Sequence, residues 1–259
     1  MGRLTPLAAI LASTLTGALA LAHDDGTLVP GQITLLTQPG VTLEDVRAAH
    51  PGLTLTNLRN YTPPQIYLVG VPVGQEEAYE AELGADRTLV RAAEENRTVS
   101  SPEQGTTQSL FLRSSQAQYL AQGSLLDLHA TGLARASAAP GTLVAVLDTG
   151  IAPHPDLAGR IVPGGYDFVL DAPDSDESLC PPAAGLIGHG TYVAGLIALT
   201  DPDARLLPIT VLGCDGIGNA FAVACGIYQA IQEGAGVINM SFATTLVSDV
   251  VEIAVHDAA

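Results

Sequence analysis

An aspartate follows a short apolar run in the middle of the chain. Asp148 comes directly after Val144–Leu147 and is followed by Thr149 and Gly150. The run is typical of a strand buried on both faces of a parallel sheet, and α/β proteins keep their sites where such strands end. A carboxylate at that place could orient a histidine base, act as a nucleophile, or pair with a second aspartate.

Two of these three chemistries lack a partner in the sequence. An aspartic protease needs a second Asp-Thr-Gly or Asp-Ser-Gly segment, or a dimer, so that two carboxylates share a proton. These 259 residues contain no second copy. A phosphoryl-accepting aspartate usually has another aspartate two residues later, where this chain has Gly150. The histidine-orienting role is left as the one to test against the rest of the sequence.

A histidine between glycines supplies the partner for that role. His189 lies in Gly188–Gly195, with the sequence GHGTYVAG, at the predicted start of a helix. The flanking glycines carry no side chain, so a substrate backbone can approach the imidazole. The small residues Ala194 and Gly195 let the helix pack closely on a sheet. Together with Asp148, this histidine predicts general acid–base chemistry.

Three motifs in this order resemble the subtilase family of serine proteases. They are DTG with HPDL after it, GHGTYVAG, and VINMSF, and the resemblance covers about residues 110–259. It implies that Asp148 orients and electrostatically supports His189. It also implies that His189 takes the proton from a serine hydroxyl and later protonates the leaving amine. The implied substrate is a peptide or protein.

The resemblance also assigns two segments to substrate binding. They comprise Gly216, Ile217 and Gly218 on one side, and Ser241, Phe242 and Ala243 on the other. An extended peptide would add between them as a β-strand. Subtilases usually have glycine at position 243, so the methyl group of Ala243 would narrow the wall of the S1 pocket. Phe242 could equally serve in ordinary core packing.

An acidic loop lies between the aspartate and the histidine. Its five carboxylates are Asp167, Asp171, Asp174, Asp176 and Glu177. Subtilases often bind calcium as a structural ion, but these residues lack a recognisable ligand spacing, so a solvated loop is the preferred interpretation. The cysteines and histidines show no CxxC or HxxxH spacing, so no metal site is predicted from them. We expect no cofactor to be required.

Alternating strands and helices must position these residues. The apolar runs Thr142–Leu147, Arg205–Leu212 and Gly236–Met240 predict buried strands, and Gly190–Leu199 and Ala220–Gln232 predict the helices between them. Alternation of this kind predicts an α/β domain with a parallel sheet. By the resemblance, residues 105–259 are the N-terminal part of a subtilisin-like catalytic domain.

A smaller unit precedes this domain. Residues 23–104 comprise it with a linker, and six elements in the order β-α-β-β-α-β predict a ferredoxin-like α+β fold. These elements are Gln32–Thr37, Thr42–His50, Leu53–Leu58, Gln65–Val71, Gln75–Leu83 and Thr88–Ala92. The unit resembles the subtilase propeptide, a chaperone and inhibitor whose end, here Val90–Asn96, would occupy the substrate cleft. The polar stretch Ser100–Ser109 is predicted to be an exposed, cleavable linker.

The first 22 residues have the pattern of a secretory signal peptide. Arg3 gives a positive start, Leu4–Leu21 is free of charge, and Ala20-Leu21-Ala22 fits the small-x-small cleavage pattern. A membrane anchor is the alternative, but the stretch is weakly hydrophobic and no positive charge follows it. We expect a secreted, extracellular protein that is not held by a membrane once the signal is removed.

Charge and cysteine content limit the partners. The chain has 27 Asp and Glu against 10 basic residues, a formal net charge of −17, and all its basic residues are arginine. This balance argues against nucleic acid, whose phosphates need cations to replace their counterions. Cys180, Cys214 and Cys225 allow one intramolecular disulfide at most, and the sequence leaves the pairing open.

The serine of a subtilase triad is missing from these residues. It would lie in a Gly-Thr-Ser context roughly 150 residues after the histidine. Only Ser241 and Ser248 follow His189, and neither has Gly-Thr before it. We expect an incomplete endopeptidase precursor that is inactive as written and has an open, aggregation-prone strand edge. The alternatives are a non-catalytic protein that binds peptides or inhibits a related protease in trans, and a damaged gene product.

Overall fold

Two five-stranded sheets form the framework of the computed structural model, which describes residues 9–12, 26–102, 141–181, 184, 186–243 and 247–259. The first sheet, built mainly from strands of the N-terminal unit, is antiparallel throughout. The second sheet, built mainly from strands of the C-terminal unit, is parallel throughout. Most of the predicted signal peptide and residues 103–109 of the predicted linker lie outside the described residues. One strand of the second unit joins the first sheet, so the two units meet along a shared sheet edge.

The first unit consists of four strands and two helices. Its elements are β2 (Leu28–Thr37), α1 (Leu43–Ala49), β3 (Thr56–Tyr61), β4 (Ile66–Gly70), α2 (Glu76–Ala85) and β5 (Val90–Ser100). The strands lie in the order β3-β4-β2-β5. One face of the sheet packs against the two helices in a buried cluster that includes Ile33 of β2, Val46 of α1 and Leu83 of α2. Apolar side chains at alternate positions along the strands share this face of the sheet, and they hold the two helices against it.

Local sequence signals account for the start of α1 but not for the full length of β5. Thr42 caps α1: its hydroxyl accepts the Asp45 amide at 3.3 Å, and the Asp45 carboxylate accepts the Thr42 amide at 2.8 Å. Strand β5 was predicted to end at Ala92 and instead continues to Ser100. The extra residues up to Arg97 pair with β2, and Thr98–Ser100 pair with β9 of the second unit, so the end of the strand depends on partners that no local pattern specifies.

The second unit is an α/β domain, as the alternating pattern predicts. Its elements are β6 (Leu143–Asp148), β7 (Tyr166–Asp167), α3 (His189–Thr200), β8 (Arg205–Thr210), β9 (Ile217–Asn219), α4 (Ala220–Gln232), β10 (Val237–Met240) and α5 (Asp249–Ala258). Strand β6 is wholly buried. Val144 and Val146 pack in a cluster with residues of α3, while Ala145 and Leu147 pack in a cluster with residues of α4. Burial on both faces explains why the strand is continuously apolar.

The outer edge of β10 is paired. The backbone of Ala9–Ala12, named β1, lies parallel to Val237–Met240. In the full chain, a segment within the predicted signal peptide thus occupies this edge, and the open edge stays a prediction for the protein without residues 1–22. Among the described residues, no helix is long and apolar enough to cross a membrane.

The second face of the first unit's sheet packs on α4 and α5. Leu36, Ile66 and Leu68 share a buried cluster with Phe221 and Ile227 of α4. Directional contacts surround this apolar interface. They are Tyr61 to Gln229 at 2.8 Å, Arg91 to Asp257 at 2.9 Å, and Arg59 to the Phe168 carbonyl at 2.7 Å. The two units are thus joined by apolar burial and by hydrogen bonds that fix their register.

Glu94 connects β5 to the N-terminal end of α5. Its carboxylate accepts hydrogen bonds from the Ser248 hydroxyl at 2.6 Å and from the Val250 amide at 3.4 Å. Burial raises the pKa of Glu94 above its ordinary value of 4.5, and these hydrogen bonds offset part of the shift. Docking therefore shifts the protonation equilibrium of Glu94 toward the protonated form relative to the undocked state.

We expect Glu94→Gln to make the stability of the docked state less dependent on pH. Because the pKa of Glu94 is raised on docking, its contribution is fully present below pH 4.5 and is lost as pH rises through the raised value. Thermal unfolding between pH 4 and pH 7 measures this slope. Glu252→Gln, which removes an exposed carboxylate from α5, is the control. Equal slopes for wild type and Glu94→Gln would contradict the prediction.

Candidate active site

The structure places Asp148 and His189 in direct contact at the carboxyl edge of the parallel sheet. Asp148 is the last residue of β6 and His189 the first of α3. Oδ1 of Asp148 lies 2.6 Å from Nδ1 of His189, and both side chains are buried, at 0% and 3% exposure. The same oxygen accepts the Thr149 amide at 2.7 Å. A carboxylate at Nδ1 favours the tautomer with the proton there, which leaves Nε2 as the basic nitrogen.

Two glycines allow this close approach. Gly150 has φ +105, and a Cβ there would lie 2.5 Å from the Ser175 carbonyl oxygen. A Cβ on Gly190 would lie 2.1 Å from the Gly150 carbonyl oxygen and 3.2 Å from Oδ1 of Asp148. Both distances to backbone are too short for any side chain, so glycine at 190 is required for α3 to seat against β6.

We expect Gly190→Ala to destabilise the protein by about 1–3 kcal/mol, as overpacked sites do, and to move His189 away from Asp148. Gly195→Ala is the matched control, since it lies on the same helix and nothing is within 4 Å of its Cβ position. We expect this control to be neutral or slightly stabilising, because alanine favours helix over glycine. Denaturant unfolding of the two variants measures the contrast, and equal stabilities would contradict it.

Glu177 belongs to the site although the sequence did not indicate it. It begins a 3₁₀ turn, Glu177–Leu179, and is 1% exposed rather than solvated as the acidic-loop interpretation expected. Its carboxylate accepts hydrogen bonds from the Thr149 hydroxyl, from the Gly188 amide at 2.8 Å and from the Thr191 amide at 3.0 Å. Its spacing from Asp148 and His189 follows no motif, so only the folded loop reveals these contacts.

The other carboxylates of the acidic loop are directed to separate donors. Asp167 is also buried, and its Oδ1 accepts the Val169 and Leu170 amides at 2.7 and 2.8 Å. Asp171 pairs with Arg59 at 2.9 Å. Asp174 and Asp176 accept backbone amides within the loop. Within the described ranges, no three His, Cys, Asp or Glu side chains gather into a group that could hold a metal ion.

A disulfide joins Cys180 to Cys214, which settles the pairing that the sequence left open. Cys225 is a free thiol buried in α4. The bridge links the end of the Glu177 turn to the segment just before Gly216. A covalent link therefore connects the loop beside the Asp148–His189 pair to the segment that borders the neighbouring cleft.

That cleft is filled by the end of β5. Val99 pairs with Gly218 and Ser100 with Ile217, and the Ser101 amide donates to the Gly216 carbonyl at 2.9 Å. On the other side, Ser100 and Ala243 exchange two backbone hydrogen bonds, at 3.3 and 3.0 Å. The segment Thr98–Ser101 thus lies as an extended strand between the two segments assigned to substrate.

This arrangement corrects two expectations. Val90–Asn96 was expected in the cleft, but these residues pair mainly within the first unit, and the occupant comes from farther along β5. Ser100 and Ser101 were expected in an exposed linker, yet they are 3% and 0% exposed. Polar composition misled the prediction here, because backbone pairing on both sides buries small serine side chains without requiring them to be apolar.

Phe242 and Ser241 have different surroundings. Phe242 packs against the main core and borders a cavity of about 390 Å³, together with Val99, Val223 and Val251. The Ser241 hydroxyl accepts from the Asn239 side chain at 3.0 Å, within its own strand end. Phe242 therefore packs in the core and also borders the cleft. Val99, which borders the same cavity, belongs to the segment that fills the cleft.

Comparison with known proteins agrees with this geometry. Residues 139–257 match the Subtilase family, peptidase S8. The chain is 39% identical over 127 residues to the thermostable alkaline protease of Halalkalibacterium halodurans, covering 46% of this chain and 32% of that protein. It is 40% identical over 129 residues to thermitase of Thermoactinomyces vulgaris, covering 46% and 43%. The chain therefore spans about a third to two fifths of these relatives.

One solved structure resembles a larger part of the chain. The epidermin leader peptide processing serine protease of Staphylococcus aureus covers 88% of this chain and 57% of its own, with a TM-score of 0.53 and 17% sequence identity. At that identity the likeness concerns the fold. The second unit is thus similar to the subtilase domains of serine proteases, and its α/β fold is subtilisin-like.

Proposed function

We propose that this chain supplies the aspartate and histidine of a secreted subtilisin-like serine endopeptidase, together with the propeptide that inhibits it. The observation that carries the proposal is the 2.6 Å contact between Asp148 and His189, buried beside a cleft that holds an extended peptide segment. An aspartate–histidine pair next to a peptide-binding cleft is the arrangement that acyl transfer from a peptide bond requires.

Each residue of the pair has a defined role. Asp148 holds the His189 ring through Nδ1 and stabilises the imidazolium that forms during the reaction. Nε2 of His189 takes the proton from the serine hydroxyl as that oxygen attacks the peptide carbonyl, and then gives it to the leaving amine. The nucleophile and the oxyanion donor would be on residues other than these 259, since no Gly-Thr-Ser segment occurs here. We expect no turnover by the chain as written.

Peptide substrates would bind as an added strand. The pairing of Thr98–Ser101 with Gly216–Gly218 and with Ala243 provides the template for that mode. Main-chain hydrogen bonds on both sides align the backbone without selecting particular side chains. Selection would then come from side-chain contacts along the strand, such as those available beside Phe242, which borders the same cavity as Val99.

The first unit would act as the propeptide. Its β-α-β-β-α-β order and its sheet order β3-β4-β2-β5 support a ferredoxin-like fold. It covers α4 and α5 and places its last strand in the cleft, so substrates are excluded until the unit leaves. Residues 1–22 would direct export, and the Cys180–Cys214 bridge is compatible with an extracellular protein.

The test is whether the gene encodes a Gly-Thr-Ser segment downstream of codon 259 and whether the protein that includes it reacts as a serine hydrolase. We expect that protein to hydrolyse casein and to be labelled by a fluorophosphonate, which reacts only with an activated serine. The same protein with His189→Ala should fold and fail to label. A serine-containing protein that folds, loses its propeptide and still does not label would contradict the proposed function.

A further inference from the structure

We propose that Glu177 is a positioning residue for the Asp148–His189 pair. Its buried carboxylate joins the residue after Asp148 to the first turn of the helix that begins with His189. The inference rests on the proposed function, because that function gives the Asp148–His189 pair its role in catalysis. Glu177 itself lies in none of the family motifs, although its three partners belong to two of them.

The first support is the N-terminal end of α3. Gly188 occupies the cap position with φ +93 and has no side chain to cap the helix. The amides of Gly188 and Thr191 instead donate to Glu177, and the Thr191 hydroxyl also donates to it at 2.6 Å. A carboxylate at the positive end of a helix is favourable and replaces the missing cap. Glu177 therefore fixes the helix turn that carries His189.

The second support is the hydroxyl group of Thr149. It has one proton, and its shortest contact is with the Glu177 carboxylate, while Oδ1 of Asp148 is at 3.2 Å. When the proton is directed to Glu177, a lone pair is free to accept the Gly190 amide at 3.0 Å. Glu177 thereby orients the hydroxyl that links the end of β6 to α3.

The two sets of contacts converge on the same pair. Asp148 precedes Thr149 in the chain, and His189 lies between Gly188 and Gly190, both of which are anchored by Glu177 or by Thr149. A displacement of the turn by a few tenths of an ångström would change the 2.6 Å contact between the pair directly. The buried position of Glu177 and the nearby Cys180–Cys214 bridge keep this support rigid.

The experiment follows His189 by NMR in the 259-residue chain, which needs no serine. In wild type, the Nδ1 proton of His189 should resonate far downfield because it lies in a short hydrogen bond to Asp148. We expect Glu177→Gln and Glu177→Ala to abolish this resonance, because the turn that carries His189 would move and its contact with Asp148 would lengthen.

Asp176→Asn is the matched control, since it neutralises the partly exposed carboxylate one residue away and keeps an acceptor for the Ser178 amide. A second pair of variants, at Thr149, tests the positioning effect without any change of charge. It also provides the test if the Glu177 variants fail to fold. Thr149→Val removes the hydroxyl without altering any charge, whereas Thr149→Ser retains it. We expect the resonance to be lost in Thr149→Val and retained in Thr149→Ser and Asp176→Asn.

The outcomes distinguish this proposal from the proposed function. If wild type shows the resonance and folded Glu177→Gln or Thr149→Val retains it, Glu177 has no positioning role and the proposed function stands. If wild type lacks the resonance, the paired arrangement itself is wrong, and both proposals fail. Loss in the folded variants with retention in the two controls supports the positioning role.

Discussion

Replacing Asp148 by asparagine is expected to lower kcat of the serine-bearing protease by about 10⁴-fold. Asparagine would present either an amide donor or a neutral oxygen to Nδ1 of His189, in place of a carboxylate 2.6 Å away. In the first case the ring adopts the tautomer that carries its proton on Nε2, which then cannot accept the serine proton. In the second case the imidazolium loses its charged partner in a buried site.

The measurement is kcat on a peptide substrate at saturating concentration, with KM determined alongside. KM should change little, because Asp148 lies beneath the histidine and does not line the cleft as Gly216–Gly218 do. Asp156→Asn is the control: it removes an exposed carboxylate from the same loop, in HPDL, and should leave kcat within a factor of two or so. A decrease in kcat below tenfold for Asp148→Asn would show that the carboxylate does not serve this histidine.

The second large effect is expected from Val99→Asp, which should release the end of β5 from the cleft. Val99 is 5% exposed and packs with Phe221 and Val223 in the main core. The new carboxylate must either stay buried without a partner or carry the end of β5 out of the cleft. Either outcome destabilises the docked strand by several kcal/mol. Since each 1.36 kcal/mol is a factor of ten, opening of the cleft should become at least about 100-fold more frequent.

Hydrogen exchange at the Ala243 amide reports this opening, because that amide donates to the Ser100 carbonyl at 3.0 Å. We expect its exchange to accelerate in Val99→Asp while amides inside β2 and β4 keep their protection, since those strands remain paired. Val73→Asp is the matched control, as Val73 belongs to the same unit and is 74% exposed. Unchanged exchange at Ala243 in a folded Val99→Asp protein would mean that Val99 does not hold the strand in place.

The contact between Asp148 and His189 and the parallel sheet could be predicted because their determinants are local. An apolar run before Asp148 specifies a strand buried on both faces, and glycines around His189 specify a helix start that must approach other backbone closely. Helix α4 was predicted with its observed bounds, Ala220–Gln232, for a similar reason: Asn219 caps it and its interior is almost wholly apolar.

The contacts between distant segments could not be predicted. The role of Glu177 depends on a loop that returns to the end of β6, and its sequence context is simply acidic. The burial of Ser100 and Ser101 depends on strands contributed by the second unit, and serine itself carries no signal of burial. In the same way, the start of β3 at Thr56 rather than Leu53 is set by pairing with β4, not by the alternating pattern alone.

Strand β5 belongs both to the first unit's sheet and to the cleft, and under the proposed function this would couple inhibition to folding. A free tetrapeptide that bound the cleft would lose its translational and conformational freedom, whereas Thr98–Ser101 is held ready by the folded unit. If the chain were cut after this segment, the docked unit would still deliver it at a high effective concentration. The potency of inhibition would then depend on the folding stability of the unit, so that a core mutation at Leu83, remote from the cleft, would act as a partial activator.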